Sequence, residues 1–322
     1  MVNVGRRDHA VPPAQEWGHA QQMQRVAEKG SSEQQVPTGL TVGDLVRNPN
    51  FPQILQAGAR TLIALNDLFP RVARLVASHQ KWMLTQAAYS LHLERDVNNP
   101  ESGITAARLL KFMRDTGGAS RNTAAAFLAE LVAYKMLQPA SGGRTKRARP
   151  LEPTEVSETA MRLWFKSQMS TIDLLDGGTR VERVEADKSI FERAQPLAAR
   201  RLLSDSRWTT PPKGVAIFVW SESGGVILDD LMTRVSEFAP MDGKVWVEVS
   251  LAKLAEHYLI SNTHVRRIFA RADAAGFLGK SEDGRRGRFW LSARLIEEYV
   301  SWQAVKIEAL ASAYDQASDW AA

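Results

Sequence analysis

The stretch SNTHVRRIFARADAAGFL, Ser261 to Leu278, sets Val265, Ile268, Phe269 and Ala272 at i, i+3, i+4 and i+7. That spacing predicts a short helix with one apolar stripe to bury. Ser261 stands where a helix N-cap belongs. The opposite side then carries Thr263, Arg267, Ala270 and Ala274, flanked by His264, Arg266 and Arg271. Just downstream, GRRGRFW (Gly284 to Trp290) closes a loop over 281–290 with turn residues at its tip. Arg285, Arg286 and Arg288 sit on its return limb, and Phe289, Trp290 and Leu291 are expected to anchor its base in the core. A helix and a loop that gather this much positive charge side by side point to a polyanion.

The same pattern occurs earlier. Ser120 to Leu137 aligns without gaps on Ser261 to Leu278. Ala124 meets Val265, Phe127 meets Ile268, Leu128 meets Phe269 and Met136 meets Phe277. Upstream, Thr105-Ala106-Ala107-Arg108-Leu109 matches Ser250-Leu251-Ala252-Lys253-Leu254. The first copy carries a longer turn between its helices, ending in Gly117-Gly118. Each copy then has a basic, glycine-containing loop followed by a helix. In the first copy this loop spans 142–150 and carries Arg144, Lys146, Arg147 and Arg149.

Two copies of helix, turn, helix, basic loop and helix look like winged helix-turn-helix modules. Both resemble the MarR-like winged-helix family of bacterial transcription regulators, and RARPLEPTE (Arg147 to Glu155) resembles that family's wing and last helix. The fold expected is mainly α with small β-wings (α+β), as two winged helix-turn-helix domains in tandem joined by long helices. Helices at 51–93, 154–175 and 293–315 would hold the copies together. The resemblance implies transcription regulation through double-stranded DNA, with recognition helices at 120–134 and 261–275. It also implies a small aromatic effector near the junction of helical and DNA-binding regions, where Trp82, Trp164 and Trp220 would line a pocket. Packing in the core is the competing role for these tryptophans. A homodimer or an intrachain pseudo-dimer would present the modules.

In a helix-turn-helix the first residues of the second helix enter the major groove. Here these are Asn262, Thr263, His264, Arg266 and Arg267, with Arg271 further along. In the first copy only Arg121, Asn122 and Thr123 are able to read a base edge, because Ala124, Ala125 and Ala126 follow. The second copy is therefore expected to supply more of the base recognition, and the first to add phosphate affinity through its wing. Two alternatives stay open: a plasmid replication initiator, which also carries tandem winged helices, and a winged-helix adaptor for protein partners. The bland reading is a solvated basic face on an ordinary surface helix.

The chain has 322 residues, 44% hydrophobic and 24% charged, with a formal net charge of +5. It is long enough for two ordinary domains. Residues 1–39 are polar and unpatterned and read as a disordered tail. A helical segment with the first winged-helix domain is assigned to 40–178, a linker helix and strand to 179–225, and the second winged-helix domain with a C-terminal helix to 226–322. The strand is VAIFVW, Val215 to Trp220, whose β-branched and aromatic content favours that state. Pro70 should break the first helical run.

There is no cysteine, which removes disulfides, thiolate metal sites and cysteine nucleophiles. No phosphate loop, dinucleotide fingerprint, metalloprotease motif or nucleophile elbow occurs, so no enzyme, cofactor or metal is expected. His92 and His257 are expected to be surface or turn residues. No apolar run is long enough to span a bilayer, and the start of the chain lacks a signal peptide's apolar core. A cytoplasmic protein without membrane contact is expected.

Overall fold

Apolar side chains recur at helical spacing along most of the sequence, and the computed structural model is accordingly mostly helical, with two small antiparallel sheets. It describes residues 40–96, 98–99, 102–114, 121–140, 150–238, 242–281 and 287–319. The expected tail at 1–39 lies outside these. The described part belongs to one compact unit, Gly39–Ala322.

The unit opens with α1 (Val42–Arg47), α2 (Phe51–Leu68), α3 (Pro70–Leu75) and α4 (His79–Leu93). The break between α2 and α3 falls at Pro70, as expected. Proline lacks the N–H that a helix interior needs but fits a first turn, so a new helix starts on it. Ser78 caps α4 by accepting from the Lys81 N–H. Next come α5 (Ala106–Arg114), α6 (Arg121–Ala133), β1 (Leu137–Pro139) and β2 (Leu151–Pro153). The long helix α7 (Glu155–Asp176) ends on Gly177, whose φ of 70° is the left-handed stop that glycine adopts readily. Then follow α8 (Arg180–Ala186), α9 (Lys188–Ser204), α10 (Ser206–Thr209), α11 (Lys213–Val219) and α12 (Gly224–Thr233). The chain closes with β3 (Lys244–Glu248), α13 (Leu251–His257), α14 (Asn262–Ala274), β4 (Leu278–Lys280), β5 (Arg288–Ser292) and α15 (Ala293–Asp319).

Helix α15 is the spine. Leu295, Val300, Trp302, Ala304, Val305 and Ile307 are buried at positions all round its axis. A helix apolar on every side has to be covered on every side. Helices α1, α2, α7, α9, α10 and α11 all pack on it, and α2 packs on α7 in turn. This bundle shares one large hydrophobic cluster with the second helix pair and its sheet. A smaller cluster lies under the first pair, where Leu109, Met113, Ala124, Phe127 and Leu128 meet Met83 and Leu84 of α4.

The sequence repeat has a matching backbone. In both copies a helix pair is followed by an antiparallel hairpin, β1 with β2 and β4 with β5. The second hairpin strand also pairs on its far side with the segment preceding the helix pair. In the later copy that segment is β3, giving the order β3-β5-β4; in the earlier one it is a single bridge from Ile104 to Leu151. The aligned residues Met136 and Phe277 both use their carbonyls to hold the end of the hairpin. Thr154 N donates to Met136 O at 3.0 Å, and Ser292 N donates to Phe277 O at 2.9 Å. The residue just before each, Lys135 or Gly276, has positive φ, 57° and 74° respectively. The same left-handed turn thus leads from helix to hairpin twice.

Three details differ from the sequence reading. Val215–Val219 is helical rather than a strand. Short apolar runs do not distinguish the two states by periodicity. Here Val215, Phe218 and Val219 are buried at i, i+3 and i+4, and α11 packs on α12 and α15. Lys244–Glu248 is a strand that the reading did not include; its alternating burial has period 2. Trp290 lies on the outer face of the sheet, while Phe289 and Leu291 point into the core as expected.

The stripe on α14 is Val265, Ile268, Phe269 and Ala272, all buried, and Ala270 on the other side is exposed. Ile268→Ala is therefore expected to lower the unfolding free energy by about 2–5 kcal/mol in a denaturant titration. Ala270→Ser should stay within roughly 0.5 kcal/mol of the parent. Equal losses from the two substitutions would contradict this placement.

Candidate nucleic-acid interface

Helix α14 is held by α13, β4 and α11, which cover its apolar stripe. Ser261 caps it, its hydroxyl accepting from His264 N at 3.1 Å. Thr263, Arg266, Arg267, Ala270 and Ala274 are exposed, so the stripe turns the cationic side outward. The five residues expected at the groove do not share one environment. Arg266 Nε donates to Asn262 Oδ1 at 3.1 Å, so these two support each other across one turn. Arg267 makes no hydrogen bond or ion pair among the described residues. His264 is half-buried, its Nε2 lying 3.1 Å from the carbonyl of Glu222.

Arg271 is not free. Its guanidinium donates to Ile217 O at 3.2 Å and to Ser221 Oγ at 2.5 Å, at the C-terminal end of α11. A cation there complements the helix's C-terminal end, and the Ile217 carbonyl it meets also accepts the Ser221 hydroxyl at 3.0 Å. Arg271 is thus a tie between α14 and α11, while Arg266 and Arg267 remain directed at solvent. None of His264, Arg266, Arg267 and Arg271 is paired with a carboxylate among the described residues.

The β4–β5 hairpin begins beside α14. Of its three arginines, Arg285 and Arg286 lie outside the described residues. Arg288 is half-buried, with its guanidinium 4.6 Å from the centre of the Trp246 ring. Lys244 lies similarly over Trp290, at 4.7 Å. Trp246 and Trp290 are cross-strand partners on β3 and β5. The Trp290 ring occupies the space above Gly279, where a Cβ would come within 2.5 Å of it. The outer sheet face therefore carries two tryptophans and two cations, each cation placed over a ring.

In the first copy, Arg121 opens α6, but its side chain lies outside the described residues. Asn122 is exposed and Thr123 half-buried. Ala126, Ala129 and Ala133 are exposed, as are Val132 and Tyr134. Glu130, the acid on this side, pairs with Lys81 of α4 at 2.8 Å. The loop residues Arg144, Lys146, Arg147 and Arg149 lie outside the described residues.

Trp82 and Trp164 do line a cavity, of about 470 Å³, together with Trp208 and Trp302, which the sequence reading did not single out. Trp220 is not on its wall; it is exposed and meets His79 edge-on at 5.2 Å. His79 is buried among these rings, and its Nε2 lies 3.1 Å from the Trp208 carbonyl. Desolvation lowers its pKa to about 4, against a smaller opposing effect of that hydrogen bond. His257 is exposed, as expected, and pairs with Asp67 at 3.2 Å. His92 is buried rather than at the surface, and burial, with Arg95 and Arg162 nearby, lowers its pKa to about 4. Among the described residues no helix is long and apolar enough to cross a membrane.

No family model matches the chain, and no curated protein or solved structure matches it either.

Both buried histidines are neutral in the folded chain but titrate near 6.5 without their surroundings. Between about 4 and 6.5 the unfolded chain binds the extra protons, so stability is complete above pH 6.5 and is lost as the pH falls toward 4. Denaturation midpoints measured from neutral pH downward should show this decline, and His79→Phe should remove about half of it, leaving the His92 contribution. A parent-like slope in that variant would contradict a neutral, buried His79.

Proposed function

We propose that the chain is a sequence-specific, double-stranded DNA-binding regulator of transcription. It would use two winged helix-turn-helix modules, α5–α6 with β1–β2 and α13–α14 with β4–β5. The observation that carries this reading is the pairing of two facts on α14. Its apolar stripe is fully buried, and the arginines opposite it are exposed and not engaged by any acid among the described residues. Exposed cations left to solvent, beside a hairpin that carries three more arginines in sequence, support a polyanion as the partner. At 266 and 267 no carboxylate partner is present among the described residues.

The groove chemistry follows from the residue types. Arginine presents two parallel donors that match the two acceptors on guanine's major-groove edge. Arg267 has both available. Asn262, already supporting Arg266, would set that second arginine's direction. Ala270 and Ala274 let the helix approach the groove floor. Arg285, Arg286 and Arg288 on the second wing, and Arg144, Lys146, Arg147 and Arg149 on the first, would hold phosphates, which adds affinity without sequence choice. The two modules would act as an intrachain pair, since α7 and α15, the helices that follow each hairpin, pack on one another.

A second reading applies to the first module alone. Its outward side offers Ala126, Ala129, Val132, Ala133 and Tyr134 and no free arginine in the described part, which favours a protein contact there over base readout.

The test is equilibrium binding to a duplex selected from a random library, measured over single-base variants of the selected site. Arg267→Ala should reduce discrimination at one or two positions by roughly 1–3 kcal/mol. Asn122→Ala should weaken all variants similarly or leave them unchanged. A larger loss of discrimination from Asn122→Ala would overturn the assignment of base reading to α14, and failure to select any duplex would overturn the function.

A further inference from the structure

Strand alternation sends Lys244, Trp246 and Glu248 of β3 and Arg288, Trp290 and Ser292 of β5 to the outer face of the second sheet. Trp246 and Trp290 stand directly opposite each other across the strand pair. Tryptophan has a large apolar area to hide, yet Trp246 leaves 37% of its surface in solvent. Trp290 is only half-buried. Gly279 of β4, by having no side chain, lets the Trp290 ring lie down on the sheet. Two large rings side by side on an open face form an apolar patch of the kind that marks a contact site.

Charge narrows the partner. Lys244 Nζ lies 4.7 Å from the centre of the Trp290 ring, and the Arg288 guanidinium 4.6 Å from that of Trp246. Glu248, opposite Arg288, is the acid of this face. In sequence, the hairpin that leaves the face adds Lys280, Arg285 and Arg286 against Glu282 and Asp283. Cations outnumber acids in both places, which favours an anionic partner. A duplex turns the flat sides of its bases inward, so rings gain little by lying against it. An unpaired strand offers both phosphates and the flat sides of its bases. Cations interleaved with aromatic rings are the composition of surfaces that bind such strands.

We propose that the outer face of the β3-β5-β4 sheet binds single-stranded DNA, with one base stacked at Trp246 and Arg288 and the next at Trp290. The guanidinium is planar, so a base can lie on its far side while its donors meet a phosphate. The Lys244 ammonium is a compact charge on a flexible stem and can move from the Trp290 ring to the next phosphate. The sheet belongs to the same module as α14, since β4 follows that helix directly. The module then holds a duplex at α14 and an unpaired stretch of the same DNA at the sheet. The choice of DNA over RNA rests on the function proposed above; the stacking of bases on the sheet does not.

The experiment titrates the full chain into a fluorescein-labelled oligothymidylate of about a dozen nucleotides and follows anisotropy. The comparison probes are an abasic oligomer of the same length, oligouridylate and polyglutamate. Saturable binding of oligothymidylate is expected, tighter than that of all three. Trp246→Ala, whose fold is checked by circular dichroism, should weaken oligothymidylate about tenfold, as loss of one stacked base does. It should leave the abasic oligomer unchanged, and Trp246→Phe should retain most of the affinity. A second measurement needs no variant: an oligonucleotide carrying 5-iododeoxyuridine is photocrosslinked to the parent chain, and adducts are expected on Trp246 or Trp290. Equal affinity for the abasic oligomer, an unchanged affinity in Trp246→Ala, or adducts only elsewhere would overturn the stacking surface. Tighter binding of polyglutamate would assign the face to an acidic protein, and tighter binding of oligouridylate would overturn the choice of DNA. None of these readouts uses a selected duplex, so failure here is separate from failure of duplex recognition by α14.

Discussion

The burial of one stripe, Val265, Ile268, Phe269 and Ala272, is the constraint from which the rest of the account follows. A helix cannot hide one side without committing the other. Once these four side chains are placed against α11, α13 and β4, the positions of Thr263, Arg266, Arg267 and Ala270 in solvent are no longer adjustable. The cationic side is thereby directed by apolar burial, not by any electrostatic interaction of its own. That is why it can stay free of acidic partners. Arg266 is braced within the helix by Asn262, whereas Arg271 reaches the end of α11 and a serine and fastens α14 to that neighbouring helix.

The second structural commitment is α15. It leaves the later hairpin directly, runs through the centre of the bundle and packs on α7, which leaves the earlier hairpin in the same way. Each repeated unit is thus continuous with a helix in the shared core. Residues of α15 also form one wall of the tryptophan-lined cavity, and the turn before α14 forms part of its rim. Core, cavity and outward helix are joined over short distances.

Much of this was legible in residue spacing. The stripe on α14, its Ser261 cap, the break at Pro70 and the glycine stop at Gly177 each follow from a local rule, and local rules act through neighbours in sequence. The gap-free match of Ser120–Leu137 to Ser261–Leu278 anticipated two backbones of one pattern, down to the hydrogen bonds made by Met136 and Phe277. What escaped was set by tertiary contact. Val215 to Val219 has strand-like composition, but contact with α12 and α15 selects the helix. Trp290 reads as core because it is large and apolar, whereas strand alternation puts it outside, over Gly279. Trp208 and Trp302 lie far apart in sequence, and nothing local shows that they stack. Arg271 reads in sequence as another base-contacting arginine; only the position of α11 reveals its partners, the Ile217 carbonyl and the Ser221 hydroxyl. His92 falls inside through the packing of α4.

The central claim is that this outward side meets the phosphates and base edges of a double helix. Its most direct test is the salt dependence of binding between the purified full chain and a short duplex. Releasing condensed counterions makes log affinity fall linearly with log salt, by roughly 0.9 for each phosphate neutralised. The account predicts a steep straight line, corresponding to several phosphates. Affinity that is absent at low salt, or present but insensitive to salt, would contradict it.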